Sequence, residues 1–198
     1  MDGGVTNVLP VNTLLEQGYE DLILIRIFGV GHEKRITIPK EVSVTEIAPR
    51  VNLGSILKLD GARSRRNMKI GYYDAMRVIY GLEGKIYYIE QKAEECYYLR
   101  QFIQIRPEVL ERLLAVCKLE GAGELSMRNY IELILPVFAS ELKLGKNWCY
   151  RSLYLAMLEA AAKLLRVPKY RIYTVEELWQ AAADKAAGRE ISPDMPEF

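Results

Sequence analysis

The sequence predicts an α/β portion followed by an all-α helical domain. Three observations lead to this prediction: a near-continuous run of branched apolar residues, a segment that alternates β-branched with polar residues, and helical spacing of apolar residues in the second half. The strands are too few for a complete α/β domain, so the first part is expected to be an incomplete one. We predict domains at 1–90 and 91–190, and a loose tail at 191–198.

The first half begins with a turn, a short helix and a strand. Gly3 and Gly4 mark the turn, and the apolar spacing around Leu14 predicts a helix that ends at Gly18. Residues 21–29 are typical of a strand buried on both faces, which implies a parallel sheet covered by helices.

Three more elements complete this half. Residues 36–39 end at a proline and fit an edge or connecting strand, and residues 42–48 show the alternation of a strand near the border of a sheet. Residues 64–82 have helical spacing, with Ser64 as the candidate N-cap. Gly71 lies inside that helix, where glycine costs about 1 kcal/mol against alanine, and is therefore expected to permit a close contact.

The second half is predicted to be helical. Residues 85–89 fit either an extended segment or a linker packed on the first half, and four helices follow. They begin at Pro107, near Ser126 with a kink or break at Pro136, at Asn147, and at Thr174. The last has a capping box of Thr174 with Glu177 and is predicted to direct three side chains inward, Leu178, Trp179 and Ala182.

Composition excludes some classes of function. The 198 residues include 27 Lys and Arg against 26 Asp and Glu, which gives a net charge of +1. This charge is too small to attract nucleic acid or an anionic membrane at long range, so any such contact must be local. No apolar run approaches the roughly 18 residues of a transmembrane segment, and residues 1–4 do not resemble an export signal. An odd number of widely spaced cysteines predicts buried free thiols and a cytoplasmic protein, the three being Cys96, Cys117 and Cys149.

The candidate catalytic residue is Asp2, in the tripeptide Asp2-Gly3-Gly4. Such a tripeptide most often forms only a tight turn. In its context of residues 2–11 and 18–27, however, it resembles the aspartate segment of the patatin-like phospholipases. Three later segments resemble the closing strand and helix of bacterial members of that family, namely residues 47–50, 64–67 and 71–75.

The resemblance, which covers about residues 2–90, implies a three-layer α/β/α fold and a Ser-Asp dyad. In that family a serine in a G-x-S-x-G pattern pairs directly with the aspartate of the D-G-G motif, and a glycine-rich loop forms the oxyanion hole. The catalytic aspartate therefore maps onto Asp2. A serine hydroxyl needs a base to take its proton, and backbone amides must stabilise the oxyanion that follows.

The sequence departs from the family pattern at the nucleophile. None of its serines is flanked by glycines as G-x-S-x-G requires, and the nearest approach, Gly54-Ser55, lacks the second glycine. The resemblance therefore implies the C-terminal part of such an enzyme, which supplies the aspartate but not the serine. We expect this chain to be inactive alone and the intact protein to act on a lipid or another carboxylic ester, without a cofactor.

Other candidates have simpler interpretations. The sole histidine, His32, lacks a ligand partner at metal-binding spacing, so no metal site is predicted. A basic group at the start of the 64–82 helix fits either phosphate binding or, as we favour, a solvent-facing helix start, and its role stays unassigned: Arg63, Arg65, Arg66 and Lys69. The thirteen tyrosines fit a lipid-facing or partner-facing surface, or domain packing, which we favour.

A different class of function remains open. An incomplete sheet leaves an open edge and an uncovered apolar face, and such surfaces are normally paired or covered. The alternative prediction is therefore a non-catalytic oligomerisation or protein-interaction module, which forms a homodimer or docks through the exposed sheet edge. Nucleic acid is not an expected partner.

Overall fold

The structure, a computed structural model, describes residues 9–27, 37–55, 60–116 and 127–188, with no side-chain description for 114–116. The chain divides into two compact units, Met1–Leu82 and Glu83–Phe198, which places residues 83–90 in the second unit. The first unit contains α1 (Val11–Glu16), β1 (Asp21–Ile25), β2 (Ser43–Ile47) and α2 (Gly61–Tyr80). The second contains β3 (Tyr88–Glu90), α3 (Glu95–Ile103), α4 (Pro107–Val116), α5 (Met127–Asn129), a π-helical turn (Tyr130–Ile134), α6 (Leu135–Glu141), α7 (Tyr150–Leu164), β4 (Ile172–Thr174) and α8 (Val175–Ala187).

The first unit is built on a parallel pair of strands. β1 and β2 pair from Asp21 opposite Ser43 to Ile25 opposite Ile47, which confirms both predicted strands. One face of β1 is buried, where Leu22 and Leu24 pack with Val11 of α1.

The other face of β1 is not buried. Ile23 and Ile25 are 71% and 68% exposed, and Ile27, just beyond the strand, is 64% exposed. The prediction that this strand is buried on both faces is therefore wrong, because an apolar run specifies a strand but not what covers it.

The helix α2 begins earlier than its sequence pattern suggested. The Asp60 carboxylate accepts hydrogen bonds from the backbone N–H groups of Ala62, at 2.9 Å, and Arg63, at 3.4 Å, so Asp60 rather than Ser64 is the N-cap. The helix ends at Gly81, whose φ of +61° suits glycine. Among the described residues, a Cβ on Gly71 would meet no atom within 4 Å, so this part of the structure does not contain the close contact expected there. The sequence also predicts a strand at residues 36–39. The described part of that segment, residues 37–39, does not form a strand.

The second unit also contains parallel strands, so the prediction of an all-α domain is wrong. β3 and β4 pair from Tyr88 opposite Ile172 to Glu90 opposite Thr174. Of residues 85–89, which the sequence predicts as either extended or a linker, only those from Tyr88 onward lie in a strand. The partner strand β4 has no counterpart in the sequence prediction. The whole chain is a mixed α/β protein.

A buried carboxylate organises the entry to β3. Glu159 of α7 is 3% exposed and accepts three consecutive backbone N–H groups, from Lys85 at 2.9 Å, Ile86 at 2.8 Å and Tyr87 at 2.7 Å. Gly84 precedes them with φ +91°, and a Cβ there would lie 2.6 Å from Glu159 Oε1. Only glycine allows the chain to pass this close to the carboxylate.

The predicted interruption at Pro136 is confirmed and takes a specific form. Proline cannot donate a hydrogen bond to the carbonyl four residues earlier, and its ring crowds that carbonyl. The helix widens into a π-helical turn over Tyr130–Ile134, and Pro136 then occupies the first turn of α6.

The last helix, α8, confirms one local prediction and corrects another. Thr174 and Glu177 form the predicted capping box, and Leu178 and Ala182 are buried as expected, but Trp179 is 55% exposed.

Both described cysteines are free. Cys96 is exposed rather than buried, Cys149 is half-buried, and Cys117 lies outside the described residues. No helix within the described ranges has the length and apolar character needed to cross a membrane.

Candidate functional site at the carboxyl end of the first strand pair

Two residues singled out from the sequence, Asp2 and His32, lie outside the described residues. The described part of the first unit nevertheless contains a cavity of about 380 Å³. Its wall is formed by Ile27, just beyond β1, and by residues 49–54, just beyond β2. Ligands of open α/β sheets bind at this carboxyl end of parallel strands. The cavity therefore lies where the fold favours a site.

An ion pair attaches the cavity wall to α2. Asp74 is 2% exposed, and its Oδ1 accepts a hydrogen bond from Arg50 Nε at 3.0 Å. Its Oδ2 accepts from the backbone N–H of Arg50 at 3.2 Å. Because both oxygens of one buried carboxylate hold the same residue, the start of the loop after β2 is fixed in position and direction.

Two further contacts hold the end of this loop. Asn67 of α2 donates from Nδ2 to the Leu53 carbonyl at 2.9 Å. Gly54 has φ +85° and donates its N–H to Asn52 Oδ1 at 2.7 Å, and a Cβ on it would lie 3.2 Å from Arg63 Nη1. Arg63 thus packs against the loop, which gives this residue a structural position.

The remaining basic residues near the start of α2 are exposed. Arg65, Arg66 and Lys69 are all exposed, as the solvent-facing interpretation of this group expects. The described structure brings none of them into the wall of the cavity.

The described wall can bind or position a group but holds no nucleophile. Its seven residues include the Arg50 guanidinium and the Asn52 amide, but no serine, cysteine or histidine. Acyl transfer at this edge would therefore require a nucleophile from outside the described wall. Among the described residues, no group of three or more His, Cys, Asp or Glu could hold a metal ion.

A second cavity, of about 230 Å³, lies in the second unit beyond the carboxyl ends of β3 and β4. On its wall the Tyr97 hydroxyl lies 3.1 Å from Glu176 Oε1, to which it donates a hydrogen bond. Burial and this hydrogen bond raise the pKa of Tyr97 from its ordinary value of 10.0 to about 12. No local sequence pattern indicates this cavity, because its wall combines residues about 80 positions apart that meet only through strand pairing.

The chain matches no protein-family model, no curated protein and no solved structure.

Proposed function

We propose that this chain is the C-terminal part of a patatin-like serine acyl hydrolase. In the intact protein Asp2 is the general base for a serine supplied from outside this chain, and the substrate is a lipid or another carboxylic ester. The chain alone lacks the nucleophile and is inactive.

One observation carries the proposal. The three later segments of the resemblance, residues 47–50, 64–67 and 71–75, are drawn together in the structure. Arg50 from the first pairs with Asp74 from the third, and Asn67 from the second holds the loop that follows the first. The end of β2 is thus held to α2, as a closing strand would be held to the helix that follows it, and this supports the proposal.

The exposed face of β1 supports the same proposal. In a three-layer domain both faces of a central strand are covered by helices. The exposed isoleucines of β1 are the side chains that further elements of such a domain would cover.

The proposed chemistry needs one base at two steps. Asp2 takes the proton of the serine hydroxyl while the serine oxygen attacks the ester carbonyl. Asp2 then gives that proton to the leaving alcohol. A water molecule then attacks the acyl-serine while Asp2 accepts its proton, and the proton returns to the serine as the acid is released. Backbone amides of a glycine-rich loop stabilise the oxyanion in both steps.

The test compares the chain alone with a reconstituted enzyme. The chain alone should not hydrolyse a nitrophenyl ester, whereas coexpression with a segment encoded upstream that carries G-x-S-x-G should restore hydrolysis. Asp2→Asn should lower the restored rate by about 10²- to 10⁴-fold, and Glu16→Gln, an exposed control on α1, should not. Hydrolysis by the chain alone that is lost in Asp2→Ala would contradict the proposal, as would an upstream frame without that motif.

The exposed face of β1 also favours the alternative, a non-catalytic module that self-associates. Ile23 and Ile25 would then be buried between two copies. Light scattering should show a dimer, and the double variant Ile23→Thr/Ile25→Thr should shift it to a monomer, while Leu164→Thr, on an exposed site of α7, should not. A wild-type chain that is monomeric at all concentrations would exclude self-association.

A further inference from the structure

The helix α2 carries a concentration of positive charge that the whole chain does not. Between Gly61 and Tyr80 stand one acidic residue and five basic ones, a net charge of +4 in a chain of net charge +1. The acidic residue, Asp74, is buried against Arg50 and does not offset the charge at the surface. Three of the basic residues are exposed, Arg65, Arg66 and Lys69, whereas Arg63 and Arg77 are half-buried.

The same helix exposes an apolar stripe. Met68, Tyr72 and Ile79 lie on one face at helical spacing and are 75%, 59% and 65% exposed. The opposite face contains Ile70 and Asp74, both 2% exposed. The helix therefore has an apolar face, and none of the described residues of the first unit covers it.

Charge and apolar surface are adjacent on this helix. Arg65 lies one turn before Met68, and Lys69 one turn before Tyr72, so cations border the stripe along one side. The Tyr72 ring packs edge-on against Tyr73, with ring centroids 5.1 Å apart, which restricts its orientation at the surface.

We propose that this face of α2 docks on an anionic lipid surface, with the helix lying in the plane of the membrane. A helix of this kind inserts its apolar face at the headgroup boundary while Lys and Arg contact anionic headgroups. Nucleic acid would use the cations but leave the methionine and isoleucine without a partner. The docking surface goes beyond the proposed function and does not depend on it, because binding needs no turnover.

The test is cosedimentation of the full chain with phosphatidylcholine vesicles, with and without phosphatidylserine. We expect binding only to vesicles that contain phosphatidylserine, and weaker binding at high salt. The double variant Arg65→Glu/Lys69→Glu should lower affinity by at least about 25-fold, since each basic residue near such a surface is worth about fivefold. The control Lys169→Glu/Lys185→Glu makes the same change of net charge on the second unit and should bind as the wild type does.

A second variant tests the apolar component. Met68→Ser/Tyr72→Ser/Ile79→Ser changes only exposed positions and should lower affinity by about tenfold or more at unchanged charge. Hydrogen exchange of the wild-type chain should show protection of α2 on vesicle addition, a readout that needs no variant.

Four results would overturn the proposal: no binding to phosphatidylserine vesicles, equal binding to phosphatidylcholine alone, unchanged exchange in α2, or binding that survives both variants. Competition by an oligonucleotide, together with full binding by the serine variant, would assign the face to nucleic acid instead.

Discussion

The buried carboxylate of Glu159 allows a quantitative prediction. It accepts three consecutive N–H groups at 2.7 to 2.9 Å and so holds the chain that enters β3. We consider two substitutions: Glu159→Leu, which keeps the side-chain volume and removes every acceptor, and Glu159→Gln, which keeps one acceptor oxygen.

The magnitude follows from the number of hydrogen bonds lost. Each hydrogen bond to a charged group is worth about 1.5–3 kcal/mol, so three give roughly 5–9 kcal/mol before compensation. Removing the carboxylate also removes its own burial cost of several kcal/mol. We therefore expect Glu159→Leu to lower the free energy of unfolding of the second unit by about 3 kcal/mol.

Glu159→Gln should cost much less. Ile86 and Tyr87 both donate to Oε1, and an amide oxygen in that place can accept both. Only the backbone N–H of Lys85, whose hydrogen bond to Oε2 is partly buried, would face the amide NH₂ group and lose its acceptor. The expected loss is about 1 kcal/mol.

Tryptophan fluorescence during urea unfolding measures the effect selectively. The sequence has two tryptophans, Trp148 and Trp179, and both belong to the second unit. Glu111→Gln, an exposed change on α4, is the matched control. The reasoning is refuted if Glu159→Leu unfolds at the same urea concentration as this control, or if Glu159→Gln is as damaging as Glu159→Leu.

Three further predictions concern other parts of the chain. Gly71→Ala should stabilise α2 by up to about 1 kcal/mol and slow its hydrogen exchange, because the added methyl group meets no atom of the described residues within 4 Å. Gly81→Ala, at φ +61°, should destabilise the helix, and faster exchange in Gly71→Ala would contradict the prediction. Asp74→Ala should cost the first unit about 3 kcal/mol in thermal unfolding and speed exchange in the loop after β2, and an unchanged loop would show that the ion pair does not position it. Burial raises the pKa of Tyr87 and Tyr130 to about 12 from an ordinary value of 10.0, so the stability they confer is complete below pH 10.0 and is lost as the pH rises toward 12. Urea unfolding followed against pH should then show the free energy of unfolding fall by at most about 1.4 kcal/mol per pH unit for each tyrosine, with a shallower fall in Tyr87→Phe. An equal slope in that variant would contradict the assignment.

Features encoded by neighbouring residues could be predicted from the sequence. The strands β1 and β2, the helix start at Pro107, the interruption at Pro136 and the capping box of Thr174 each depend on residues a few positions apart. The helix α3 was missed although it has such a signal, in the spacing of its buried Tyr98 and Phe102.

Features that depend on distant partners could not be predicted. β4 is only three residues long and exists because β3 lies beside it. Leu178 and Trp179 are adjacent and both apolar, and only the packing of α8 decides that the first is buried and the second exposed.

The wall of the candidate cavity belongs to this second kind. The pairing of Arg50 with Asp74, 24 residues away, could not be predicted, because no local pattern encodes it. The catalytic role of Asp2 stays a prediction, since Asp2 lies outside the described residues.

The approach of Gly84 to Glu159 has a consequence for sequence variation in this fold. A methyl group at position 84 and a full-length carboxylate at position 159 cannot occupy their places together, since their atoms would lie 2.6 Å apart. A Cβ at position 84 would also lie 2.8 Å from the Tyr87 carbonyl oxygen, at a φ of +91°, so a shorter side chain at position 159 would not by itself admit another residue. Relatives that keep this entry into the second strand pair should therefore keep glycine at position 84. Where residue 84 is not glycine, we expect a different entry.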